Sequence, residues 1–222
     1  EGSNTFYQWG RKDAFPGGLT GNTEPTLYPA GQLFNKNAGD YMSITNGIQH
    51  PGSFYIYGTS WYSTPPTGYS YYNLWSANNT TMQGWNTGND LPVVKTVYDP
   101  SPVGFKLPAN NAFTRFTTTG LNSTKAEEMN VQGTKDATNF SANFGWNFFT
   151  DGSNTSTVYF PASGLRSSHA GSLGNVKNAG YYWSVVPYSV GSGCYLDFGS
   201  GNVNPLYLTP RAYGFAVRPV TE

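Results

Sequence analysis

The chain holds one cysteine, Cys194, among 222 residues, so an intrachain disulfide is excluded. A lone cysteine fits a reducing compartment, and it fits equally a secreted bacterial protein built without disulfides. Charge is scarce as well. Charged residues are 11% of the chain and the formal net charge is zero, which leaves no basic field to draw in nucleic acid or anionic lipid. Neither partner is expected. No apolar run approaches the length of a membrane-spanning helix, so direct membrane insertion is not expected either.

Catalytic signatures are also missing. The two histidines, His50 and His169, lie far apart and outside any HExxH pattern. There is no Walker loop, no GxSxG elbow, and no GxGxxG between a strand and a helix. Gly191-Ser192-Gly193 falls inside a Gly- and Tyr-rich segment instead. Cys194 has no nearby histidine to activate it, and a packed thiol is the simpler reading. Asp and Glu are scattered, whereas a glycosidase needs two carboxylates facing one cleft. No DxDxDG-like cluster offers a calcium site, so no metal or other cofactor is expected.

What the chain does have is aromatic. Phe, Trp and Tyr make up 17% of the residues, enough to fill a core despite the low charge. With many glycines and prolines, this describes an ordered, loop-rich, β-containing protein. No fixed-period repeat and no linker appears, so residues 1–222 read as a single domain. The richness in Asn, Ser, Thr, Tyr and Gly suits an extracellular or cell-surface location. The start at Glu1, with no Met or signal peptide, is read as a mature or trimmed chain.

Local patterns place the elements. Residues 6–18 open with a strand-like aromatic piece and end in a turn, where Arg11, Lys12 and Asp13 read as a solvated charged knot. Ser43–Gln49 fits a short helix capped by Ser43, with Ile44 and Ile48 on one face. Residues 53–90 are studded with aromatics but show no helical period, and packing of that loop onto the core is the simplest reading. Asn110–Phe116 is the best helix by pattern, with Asn110 as N-cap and Phe113 and Phe116 one turn apart. Asp151-Gly152, between Phe148-Phe149 and Val158-Tyr159-Phe160, predicts a hairpin. The expected core comprises Phe105, Leu107, Phe113, Phe116, Phe160, Trp183, Phe198, Phe215 and Val217.

The stretch from Gly180 to Val220 organises the rest. Tyr181–Val186, Cys194–Phe198 and Phe215–Val217 read as short antiparallel strands separated by turn residues. Between them, tyrosines stand among Ser, Gly, Asn, Asp and Thr, the mixture that paratopes use for contact. Candidate contact residues are Val185, Val186, Tyr188, Val190, Ser192, Tyr195, Asp197, Ser200, Asn202, Leu206, Tyr207, Thr209 and Tyr213.

Three segments carry a resemblance. DPSPVGFKLPANNAFTRF resembles "DPCP-x-G-[WFY]-[RK]-[LV]-P" followed by a helix. YFPASGLRSSHAGSLGNVKNAGYYWS resembles "LPAAGYR…G…G…YWSS". NVNP…RAYGFAVRPV resembles a closing "VNP…RA-x-GFSVRCV". Together they are similar to the Fibrobacter succinogenes major paralogous domain family of secreted bacterial proteins. That resemblance implies an α+β, C-type-lectin-like fold related to formylglycine-generating enzymes: a small twisted antiparallel sheet, two short helices and extensive ordered loops. Ser101 and Pro219 stand where the motifs often carry Cys. The related oxidase uses two active-site cysteines and this chain has one, so the resemblance implies the scaffold and not the enzyme.

The C-terminal placement of the Tyr-rich segment also resembles the variable region of retroelement-diversified proteins, in which template adenines are randomised. An Asn codon altered that way never yields Lys, Gln, Glu, Trp or Met. Those types supply 26 of the 222 residues, and none lies between Ser184 and Thr221. A diversified segment and an ordinary family member both stay open. The expected function is a non-enzymatic surface ligand-binding or adhesion module for a cell-surface protein or glycan. A fimbrial tip or structural subunit is one alternative, and a carbohydrate-active or formylglycine-generating-like enzyme is another. The sequons at Asn79, Asn122, Asn139 and Asn154 are expected to be unmodified in a bacterial protein.

Overall fold

Backbone pairing joins the two ends of the chain. In the computed structural model, which describes residues 5–18, 21–23, 35–36, 48–49, 51–56, 68, 70, 72–79, 84–189 and 191–222, the strands are short and mostly antiparallel. Four come early: β1 (Thr5–Gln8), β2 (Phe15–Pro16), β3 (Asn35–Lys36) and β4 (Ser53–Phe54). After β5 (Phe105–Lys106) come the hairpin strands β6 (Gly145–Phe149) and β7 (Thr157–Pro161), then β8 (Leu165–Arg166) and β9 (Leu173–Gly174). The meander β10 (Gly180–Ser189), β11 (Ser192–Phe198) and β12 (Val203–Pro210) follows, with β13 (Gly214–Phe215) and β14 (Val220–Thr221) last. Strand order is β2-β1-β13-β8-β9 in the five-stranded sheet and β10-β11-β12 in the three-stranded one. Tyr7 pairs with Phe215 and Lys106 with Val220. Parallel bridges Tyr182–Ala216 and Gly164–Gly180 join the meander to the larger sheet.

The architecture is predominantly β with short helices beside antiparallel sheets, compatible with the expected α+β class. The hairpin expected around Asp151 forms, but its connection is longer than two residues. The Asp151 carboxylate organises it by accepting the Thr155 and Ser156 N–H groups, both at 2.9 Å. The helices depart from expectation. Asn110–Phe116 is a 3-10 helix whose N-cap is Ala109. The Asn110 side chain instead accepts from the Asn89 N–H and donates to the Thr87 carbonyl, so it ties down the preceding loop. The 3-10 spacing still puts Phe113 and Phe116 on one buried face. The α-helix Ala137–Asn143 was not expected. Its Thr, Asn and Ser content gives weak propensity, but Asp136 caps it by accepting the Asn139 N–H, and it ends at Phe144 in left-handed conformation. Of the expected helix over Ser43–Gln49, only Ile48 and Gln49 lie among the described residues, and both are helical.

Period-2 alternation divides the core. Tyr182, Leu196, Phe198 and Val203 join one cluster with Phe116, Phe148 and Phe160. Trp183, Val185 and Tyr195 join the other with Trp9, Trp75, Leu107 and Phe215. The meander is thus covered on one face by the first cluster and over part of the other by the second. Phe105 is a correction: on the β5–β14 ribbon it is 40% exposed, because that ribbon has little covering its outer side. Val217 is only partly buried. Arg11 is a second correction. It is buried, pairs with Asp13 at 2.6 Å, and donates to Gln8 Oε1 and to the Ser53 and Pro51 carbonyls. Arg11 and Asp13 therefore hold the first loop, while Lys12 stands in solvent as expected.

Two tryptophans cross-link β1 to β10. Trp9 Nε1 donates to the Ser184 carbonyl at 2.9 Å, and Trp183 Nε1 donates to the Tyr7 carbonyl at 2.8 Å. Gly193 permits this closeness, since a Cβ there would lie 2.6 Å from Trp9 Cδ1. Trp9→Phe removes the indole donor, and Gly193→Ala forces the ring away. Each is expected to cost about 1–3 kcal/mol in guanidinium unfolding followed by circular dichroism.

Candidate functional site

One face of the meander runs from the buried second core out to a surface rich in tyrosine. In register, Tyr181 faces Asp197, Trp183 faces Tyr195, Tyr195 faces Tyr207, and Asp197 faces Asn204. A bulge between the Tyr195 and Asp197 pairings brings Asn204, not Pro205, opposite the carboxylate. Tyr195 lies 5.7 Å from Trp183, 5.6 Å from Tyr207, 4.7 Å from Phe215 and 6.2 Å from Tyr181, measured between ring centroids. Phe215 stacks on both Tyr181 and Tyr213, with ring planes within 24° and 28°. Edge-to-face and stacked pairs of this kind hold rings rigidly.

Asp197 is the single charged side chain on the three strands. Asn202 and Asn204 both donate to its Oδ2, each at 2.8 Å. Burial raises its pKa from 3.8, and the two amide bonds partly offset that rise. Burial and the nearby Asp197 charge push the Tyr181 and Tyr195 phenols upward as well. The Tyr181 hydroxyl accepts from Asn175 Nδ2 at 2.8 Å. The turn after β11 is set by the Gly199 N–H, which donates to the Asn202 carbonyl, and by Trp146 Nε1, which donates to the Gly199 carbonyl.

Trp85 extends the face. It is 54% exposed and lies edge-on to Tyr207 at 5.0 Å. A chain of amides positions it. Asn86 takes left-handed backbone and its Oδ1 accepts the Asn122 N–H, while the Asn122 amide both accepts the Leu206 N–H and donates to the Leu206 carbonyl. The Asn122 side chain is therefore committed to β12. The Asn79 amide is buried against Asn89.

The sequence-predicted contact residues separate cleanly. Tyr188, Ser192, Asp197, Ser200, Asn202, Tyr207, Thr209 and Tyr213 are all partly exposed. Val185, Val186, Tyr195 and Leu206 are buried and are corrected to supports beneath the surface. Val185 and Tyr195 alternate inward with Trp183 toward the second core, while Val186 and Leu206 are drawn in where bulges interrupt the alternation. Val190 lies outside the described residues. The β10–β11 tip, with Tyr188 and Ser192, is tied to the buried Arg211, whose guanidinium sits 4.0 Å from the Trp9 ring and donates to the Ser189 carbonyl at 2.9 Å. Sequence reasoning missed Tyr181, Asn204 and Trp85. Tyr181 and Asn204 follow from strand alternation once the register is known; Trp85 carries no local signal.

Elsewhere, cavities of about 310 to 690 Å³ open beside Arg11 and Tyr98, beside Lys95 and Glu222, along Thr114–Gly120, and beside Val217–Pro219. Among the described residues, no helix is long and apolar enough to cross a membrane, and no group of three or more His, Cys, Asp or Glu side chains converges. Compared with family models, curated proteins and solved structures, the chain matches none.

Two outcomes follow. Burial pushes the Cys194 thiol up to about 12. Iodoacetamide is therefore expected to leave native protein unmodified at neutral pH and to alkylate it fully in guanidinium, read by mass spectrometry. For Asp197, the folded pKa lies above the unfolded one, so the folded state binds the extra proton between them. Its contribution to stability is then fullest below about 3.8 and is lost as pH rises through the folded pKa. Unfolding free energies of wild type and Asp197→Asn across acid pH should show this fall in wild type and not in the variant.

Proposed function

We propose that this chain is a non-enzymatic ligand-binding module displayed on a bacterial or virion surface, built on a C-type-lectin-like scaffold of the major paralogous domain type. The observation that carries the reading is the open face of the meander. Half-buried Tyr181, Tyr207 and Tyr213 stand on a layer of packed aromatic side chains around Tyr195 and Phe215, and Asp197 lies opposite Tyr181. Rigid tyrosines give large contact area at small entropy cost, and the flanking Ser, Thr and Asn supply adaptable hydrogen bonds. The rings are locked by their neighbours, so little freedom remains to be lost on binding.

The spatial relation of the resembling segments supports the scaffold. The Asp99 carboxylate accepts the Ser101 and Leu107 N–H groups, folding DPSPVGFKLP into a turn. Its β5 pairs with β14, and β8 from the second segment pairs with β13. The three motifs thus form one neighbourhood. The Cys194 thiol, buried and held protonated, argues against thiol chemistry of the oxidase type.

The segment Ser184–Thr221 supports diversification as the origin of specificity, since partly exposed positions such as Tyr188, Asp197, Asn202 and Tyr207 stand between runs of buried ones on one scaffold. Sequencing the locus in several isolates is expected to show substitutions at codons for Tyr188, Asp197, Ser200, Asn202, Tyr207, Thr209 and Tyr213, matching adenines of a nearby template repeat. Val185, Val186 and Leu206 stay fixed. An unchanging segment with no repeat sinks diversification and leaves an adhesin of fixed specificity. The binding face itself is tested by screening the protein on glycan and surface-protein arrays. Tyr207→Ala with Tyr213→Ala is expected to weaken any genuine hit by about tenfold or more. Hits indifferent to both changes would overturn the assignment of this face.

A further inference from the structure

Resting on that reading, we propose that the face takes a cationic side chain of a protein ligand, an arginine or a lysine, with its N–H groups on Asp197 Oδ1. The two carboxylate oxygens of Asp197 are used unequally. Oδ2 receives both amides, from Asn202 and Asn204. Oδ1 receives no donor among the described residues, and it is not sealed from solvent. Among the described residues, no ion pair engages this carboxylate. The protein therefore holds a negative charge in place through one oxygen and leaves the other as an open acceptor.

The surroundings select the sign and kind of ligand. Tyrosine faces attract cations through the ring quadrupole, and Tyr181, Tyr195 and Tyr207 flank the carboxylate in strand register. Burial strengthens the attraction between Asp197 and an arriving cation because less water screens the pair. A neutral sugar wants donors and acceptors side by side. Here one N–H of each of the Asn202 and Asn204 amides is given to Asp197, and one of Asn175 to Tyr181. What stays open at the carboxylate is a charged acceptor, Asp197 Oδ1, whose charge a neutral sugar would leave uncompensated. Guanidinium and ammonium groups, which only donate, match that imbalance.

The test is an NMR titration of isotopically labelled protein with Nα-acetyl-arginine methylamide, reading the ring resonances of Tyr181, Tyr207 and Tyr213. The matching citrulline compound has the same shape without the charge, and methyl glycosides serve as neutral sugar probes. Saturable shifts with the arginine compound are expected, weaker by about tenfold or more with citrulline or in Asp197→Asn, and reduced by added salt. Equal binding of citrulline, or arginine binding unchanged in Asp197→Asn, overturns the inference. So does saturation by a glycoside alone, and so does an absence of saturable arginine shifts. These failures differ from failure of the surface reading. An array hit lost on changing Tyr207 and Tyr213 but kept in Asp197→Asn leaves the face as the binding surface and removes only the cation.

Discussion

The reciprocal tryptophan clamp between β1 and β10 is the interaction on which the rest of this structure depends. Trp9 reaches a carbonyl on β10 while Trp183 reaches a carbonyl on β1, across more than 170 residues of chain. Each indole is fully buried, and each has its N–H satisfied by a backbone carbonyl of the other strand. The clamp sets the distance between the five-stranded sheet and the meander. The Trp183 N–H and Ala216 carbonyl then close the junction at 3.0 Å, and Arg211 covers the outer side of Trp9. With no disulfide available, these aromatic and main-chain contacts do the cross-linking.

That junction explains why the tyrosine face is rigid. A sheet packed on one face by the first core and over part of the other by the second has little room to flex, since interiors of this kind are packed as tightly as crystals. Tyr195 is the hinge between core and surface: it touches Trp183 and Phe215 below and Tyr207 and Tyr181 toward the open edge. Residues that vary in identity at the open edge would leave Val185, Val186, Tyr195 and Leu206 undisturbed beneath. This division between fixed support and free surface suits a recognition module whose specificity changes while its fold does not.

Asp197 is the exception within an almost uncharged sheet. Its retention in a half-buried place costs solvation, which the two asparagine amides only partly return. Local rules broken in this way tend to mark functional positions. The same residues illustrate how a turn and a site are built together, because Asn202 both closes the turn with Gly199 and holds the carboxylate.

The sequence by itself determined a good deal. One cysteine excluded an intrachain disulfide, abundant aromatics pointed to an ordered core, and alternation between turn residues located β10, β11 and the hairpin of β6 and β7. These signals are local, written in neighbouring residues. It did not determine that β12 continues through Val203–Pro210, because Asn204 and Pro205 there read as a turn until β11 supplies a partner. The α-helix Ala137–Asn143 was hidden by weak propensity that tertiary packing of Phe140 overrides. Only the tertiary structure decided which candidate contact residues reach the surface. Exposure along Val185–Tyr213 depends on register, bulges and what lies across each face, and those are set by the clamp from Trp9, a residue distant in sequence.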